Sequence, residues 1–235
     1  MKIIVEEGVG IVFTSAGNPA SWTSFLKEKG ITVVHVIANT KFALKAEACG
    51  ADAIVAEGFE AGGHNGREET TTMCLIPMVC DAVKIPVIAA GGIGSGRAML
   101  AAMALGAEGV QVGSAFAVAE ESSVHPNFKE RIVHAEEGDT RLSMKKLVPV
   151  RLLKNEFADA IAVAEAGGAS AEVLVNILGR ARAKLGMFEG NMQEGELEIG
   201  QVSAMLKEIK PAAVILDEIW TGFLAELERI KEFKI

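Results

Sequence analysis

The sequence has no tyrosine, and aromatic residues make up only 5% of it. A core built from such a chain is mostly aliphatic. Positive charge is also in short supply: 23 Lys and Arg stand against 31 Asp and Glu, for a formal net charge of −8. That balance, with a pI near 5.2, argues against nucleic acid or an anionic membrane as the main partner. No apolar stretch approaches the ~20 residues a membrane span requires. The start, Met1-Lys2-Ile3-Ile4-Val5-Glu6-Glu7, turns acidic too soon for a signal peptide. Cysteine is scarce as well. Cys49, Cys74 and Cys80 form no CxxC pair and no metal-type spacing with the four histidines. An odd number of cysteines without a secretory signal points to the cytoplasm, with free thiols expected as small buried apolar residues.

What is abundant is aliphatic. Half the residues are hydrophobic and the mean hydropathy is +0.30, so 235 residues can bury a large core in one α/β domain or two small ones. Five apolar runs read as buried parallel strands: 9–14, 31–37, 53–57, 86–90 and 109–113. They are nearly continuous rather than alternating, as strands covered on both faces are. Their starts lie 22, 22, 33 and 23 residues apart, a spacing that suits βα units. Helix-end signals fall between them. Asn18-Pro19, Thr40 and Thr70 are N-terminal candidates, and Gly30, Gly50 and Gly106 sit where a left-handed residue ends a helix. Pro77 should kink the third helix or delay its start.

After Gly113 the strand rhythm stops. Residues 120–235 read as a helical extension, with Ser170 opening one helix and 217–233 carrying a stripe of Ile219, Phe223, Leu227 and Ile230. The expected division is 1–119 for the βα units and 120–235 for the extension. Five units fit either an open doubly wound sheet or a TIM-type (β/α)₈ barrel lacking three strands. The opening residues look like the end of a helix feeding a strand, which favours the incomplete barrel.

The chemistry concentrates in loops after strands. The third run ends in Glu57-Gly58-Phe59-Glu60-Ala61-Gly62-Gly63-His64-Asn65-Gly66, where four glycines surround one histidine. Glycine lets backbone approach a ligand closely, and a histidine there can serve as acid, base or structural hydrogen-bonder. Glu57 and Glu60 can orient it or simply solvate the turn. The next two strands end in Ala89-Ala90-Gly91-Gly92-Ile93-Gly94-Ser95-Gly96 and Gln111-Val112-Gly113-Ser114. Exposed amides there make an anion site, although glycines also serve plain tight turns. The Gly92–Gly96 run is not a dinucleotide fingerprint, because its third glycine comes one residue early. His35 lies inside a strand and reads as a satisfied core residue, while His125 and His134 read as surface groups. Asp81, Glu108 and Asp139 show no metal clustering, and no GxSxG is present.

Taken in order, Ala16-Gly17-Asn18-Pro19, Gly50-Ala51-Asp52-Ala53, Glu60–His64, Ala89–Ile93 and Gly109–Ser114 resemble the nitronate monooxygenase (2-nitropropane dioxygenase) family. That family includes enoyl-acyl-carrier-protein reductase II, and the resemblance extends to Glu121–Lys129 and Gly200-Gln201. It implies a TIM-barrel flavoprotein holding FMN through Gly63, Ala90, Gly91, Gly92, Gly113 and Ser114. It further implies His64 as the catalytic acid/base group beside the flavin, Gln201 on the substrate side, and no metal. The activity implied is FMN-dependent oxidation of alkyl nitronates with O₂. The alternative is an enoyl-acyl-carrier-protein reductase with NAD(P)H as electron donor. Two departures stand out: Ala115 occupies a position where relatives often carry Arg, and the family's first three strands have no counterpart. A third expectation is therefore a truncated, inactive fragment, or a subunit whose homo-oligomer or partner chain supplies those strands.

Overall fold

A computed structural model describes residues 1–232. The chain forms two compact units that interleave along the sequence. Unit 1 is 1–59, 68–90 and 101–111; unit 2 is 60–67, 91–100 and 112 onward.

Unit 1 is built on a five-stranded parallel sheet of β1 (Ile11–Thr14), β2 (Thr32–Ile37), β3 (Ala53–Glu57), β5 (Val87–Ala90) and β6 (Gly109–Gln111). The strands lie in chain order. A doubly wound sheet reverses its order at a switch point, whereas a barrel adds each strand beside the last. The sheet has the barrel's winding, and each strand falls within two residues of its expected start. Its connecting helices are α1 (Lys2–Glu6), α2 (Thr23–Glu28), α3 (Thr40–Ala48), α4 (Thr72–Ala82) and α5 (Gly96–Ala104), the last running from unit 2 into unit 1. Gly30, Gly50 and Gly106 hold φ of +73°, +90° and +106°, the left-handed conformation glycine adopts at least cost. Asn39, one residue before the expected cap, accepts the Phe42 N–H and starts α3. α4 runs through Pro77 from Thr72, so the proline does not delay its start.

Both faces of this sheet are apolar. Val12, Leu26, Ile31 and Val33 pack with Ile4 and Val5 of α1, while Val34, Val55 and Ala90 pack on the opposite face. In register with Val34 on that face is Phe13, 52% exposed. The cysteines depart from expectation: Cys74 is exposed, and Cys49 and Cys80 are only partly covered. Helix α4 is apolar nearly all round, so its cysteines need not face inward.

Glu57 ends β3 in register with Ala90; its carboxyl has no side-chain hydrogen bond among the described residues, and burial raises its pKa to about 7. Because the folded value lies above the unfolded one, stability is full below the unfolded pKa and falls as pH rises through the folded value. Replacing Glu57 with Gln should leave denaturant stability unchanged near pH 4. At pH 8 it should add on the order of 2 kcal/mol, after allowance for partial exposure.

Unit 2 corrects the expectation of an all-helical extension. It contains a three-stranded antiparallel sheet, ordered β4 (Gly63–His64), β8 (Val150–Leu153), β7 (Thr140–Ser143). Around it run α6 (Ser114–Ala117), α7 (Pro126–Val133), α8 (Glu156–Ala166), α9 (Ala171–Leu178) and α10 (Ala212–Lys231). Ser170 caps α9 through the Val173 N–H, as the sequence suggests. Ile219 and Phe223 of α10 are buried, whereas Ile230 is exposed; Phe233 lies outside the described residues. Where α10 crosses the start of α5, a Cβ on Gly96 would lie 2.0 Å from the Phe223 nitrogen, so backbone meets backbone there. No helix among the described residues is long and apolar enough to cross a membrane.

Candidate active site

The glycine–histidine loop is fixed by β8. Gly63 pairs with Arg151 and His64 with Val150, and the Asn65 N–H donates to the Pro149 carbonyl at 2.8 Å. The Asn65 amide folds back on the loop, donating to the carbonyls of Ala61 (2.9 Å) and Gly63 (3.1 Å). Arg67 ties down the far end through the carbonyls of Lys145 and Leu147. The His64 side chain is left exposed.

One residue further along β8, Leu152 bridges Glu198 in antiparallel fashion. That pairing places Glu198 in line with Gly63. A Cβ on Gly63, whose φ is +73°, would lie 2.6 Å from Glu198 Oε2. Burial raises the Glu198 pKa, and the charge of His64 pulls part of that back. Glu196, two residues earlier, is raised to about 7 by burial and by Glu198, against the opposing Arg182. The motif-based reading missed Glu198, since nothing in the local sequence joins it to His64. The alternation Glu194, Glu196, Glu198 offered no more than a charged strip.

Segment 198–201 also gathers the remaining loops. The Gln201 N–H donates to the Glu60 carbonyl at 2.9 Å, and the Gly200 N–H donates to Ser114 Oγ at 3.0 Å. A Cβ on Gly62 would lie 2.3 Å from the Ile199 carbonyl carbon, and one on Gly92 would lie 3.3 Å from Glu60 Cβ. The 3₁₀ turn Gln201–Met205 continues this packing, with Val202 against Gly94. Gly63, His64, Gly92, Ser114 and Gln201 therefore belong to one contiguous cluster in unit 2. Ala90 lies in unit 1 as the buried last residue of β5, its carbonyl accepting the Gly58 N–H. Ala115 is buried among Ala119, Ile215 and Ile219.

The glycine loops meet the requirements of an anion cradle. Gly91 and Gly92 hold φ of +92° and +69°, turning the backbone in a way side-chain-bearing residues resist. Gly113 precedes α6, and the space its Cβ would take is open to 4 Å. The backbone N–H groups of Gly92, Gly113 and Ser114 have no acceptor among the described residues. Unpaired amides suit a phosphoryl group, and at Gly113 they adjoin open space, whereas Gly92 packs against the Glu60 side chain.

A family model described as nitronate monooxygenase matches residues 1–222. The chain belongs to the nitronate monooxygenase family. Within it, a probable nitronate monooxygenase of Staphylococcus saprophyticus is 37% identical over 168 residues, covering 67% of this chain and 47% of that one. The chain spans about half the length, or less, of the curated probable nitronate monooxygenases it matches. Among solved structures, FabK from Thermotoga maritima is 41% identical with a TM-score of 0.92, covering 98% of this chain and 73% of its own. Nitroalkane oxidase from Streptomyces ansochromogenes is 26% identical with a TM-score of 0.79, covering 97% and 68%. Nitronate monooxygenases and the FabK family are flavin-dependent oxidoreductases.

Proposed function

We propose that this chain carries the flavin and proton-transfer site of an FMN-dependent oxidoreductase that oxidises alkyl nitronates with O₂. The observation that supports it best is the single cluster joining His64 and Glu198 to the cradle at Gly92 and Gly113-Ser114. Gly92, Gly113 and Ser114 would hold the FMN phosphate with backbone amides, and Gly63 and Gly91 would shape the loops beside them. When bound, the flavin supplies the electron acceptor that the side chains present lack.

The residues' own contribution is charge and proton control. A nitronate carries negative charge on its oxygens, and an exposed imidazole N–H can donate to one of them. Glu198, close enough to feel the charge of His64, orients that imidazole. Gln201, exposed at the start of its turn, offers an amide donor to the other oxygen. If the substrate enters as a neutral nitroalkane, His64 takes the proton from the α-carbon.

Glu198→Gln should lower kcat/KM about tenfold and flatten the limb of the pH–rate profile that its ionisation supplies. Because the Glu198 pKa is raised, that limb lies above the ordinary glutamate range. A variant profile that overlays the parent's would remove Glu198 from the mechanism.

A second reading is favoured by the likeness to FabK, an enoyl-acyl-carrier-protein reductase II: NAD(P)H-dependent reduction of an enoyl thioester on the same site. Two assays separate the readings. Turnover of propionate 3-nitronate without NADH supports the first; NADH consumption that requires crotonyl thioester supports the second. Purified protein that is colourless and takes up no FMN overturns both.

A further inference from the structure

We propose that unit 1 holds a second small-molecule site, built around His35, that takes a neutral and largely apolar alcohol or phenol. His35 is only 5% exposed on β2, where a histidine without a second partner is costly. Its Nδ1 sits 2.7 Å from Thr14 Oγ1, the residue opposite it in register. Nε2 has no partner among the described residues. The ring borders a cavity of about 380 Å³, also lined by Ile4, Val12, Pro19 and Trp22, a size toward the small end of ligand pockets.

The hydrogen-bond pattern sets the ligand's chemistry. Thr14 Oγ1 lies 3.4 Å from the Val34 carbonyl, to which it donates. Both contacts are satisfied together only if the Thr14 hydroxyl donates to Val34 and accepts from Nδ1–H. Nε2 then carries a lone pair, so it accepts from a ligand O–H or N–H. Burial lowers the His35 pKa, which keeps the ring neutral. No Lys, Arg, Asp or Glu side chain lines the cavity, whose other lining includes Met1, Ser15 and Asn18; beside a ring that presents only a lone pair, a carboxylate gains no donor from Nε2 and loses its hydration. A cyclic alcohol matches both conditions, with its ring against Trp22 and Val12 and its hydroxyl donating to Nε2.

Trp22 is the natural reporter, because the chain has no tyrosine and only two tryptophans. In a Trp220→Phe background, titration with cyclohexanol should shift Trp22 emission saturably. Methoxycyclohexane, which lacks the donor, should bind about fivefold more weakly, and cyclohexanecarboxylate should not saturate. His35→Leu should erase the preference for alcohol over ether. Should that variant fail to fold, the imidazole NMR signals of His35 in the parent chain decide: cyclohexanol shifts them and the ether does not. No saturable change with cyclohexanol, or equal affinity for alcohol and ether, overturns the proposal.

Discussion

His64→Ala should reduce kcat/KM by about 10²–10⁴ on the substrate the enzyme turns over, the range expected for removal of a positioned acid/base group. The thermal melt should stay where it is. β4 is held to β8 by backbone pairing, so loss of an exposed side chain leaves those bonds in place. Colour should also persist, because the proposed flavin cradle at Gly92, Gly113 and Ser114 rests on backbone amides and not on the imidazole. The combination with Glu198→Gln tests the pairing. If Glu198 acts through His64, the double variant should be no slower than His64→Ala alone, since removal of one member leaves the other nothing to orient. Multiplicative losses would mean that Glu198 acts independently. A yellow His64→Ala protein with unaltered rates would remove the histidine from the chemistry.

The parallel sheet was legible because its strands are near-continuous aliphatic runs closed by glycines. In β2, for example, Val33 and Val34 are both buried although they face opposite sides, so no gap interrupts the hydrophobic run. The antiparallel sheet was not legible. Its strands are only two to four residues long, too short for a period of two to show. One of them carries Arg151, buried at 2% exposure with its guanidinium donating to Thr140 Oγ1, which reads as surface in isolation. The same sheet explains why His64 was found and Glu198 was not. His64 lies among glycines that mark a ligand loop, whereas Glu198 reaches it only through a third segment, β8. Gly62 shows the same limit from another side. Its place in a glycine cluster was plain, yet what it must admit, the backbone at Ile199 and Gly200, comes from far along the chain.

Gly62→Ala should therefore be the most damaging single methyl group that can be added to this site. The new Cβ would lie 2.3 Å from the Ile199 carbonyl carbon and 2.5 Å from the Gly200 nitrogen. Both are backbone atoms, so no rotamer change can relieve the contact. Segment 198–201 must move away, taking with it the Gly200 bond to Ser114, the Gln201 bond to Glu60 and the placement of Glu198 beside His64. Overpacking of this kind costs about 1–3 kcal/mol, or a fall of roughly 3–10 °C in Tm for a chain of this length. Activity should drop further than stability does, because the shift separates Glu198 from His64, the pair proposed to control the proton. Gly113→Ala is the contrasting control. Nothing lies within 4 Å of its Cβ position, so its melt should match the parent's, while the methyl group crowds the amides proposed to face the FMN phosphate. Weakened flavin retention with an unchanged melt is the expected result. If Gly62→Ala melts and turns over like the parent, the close packing of 198–201 on the histidine loop is not what organises this site.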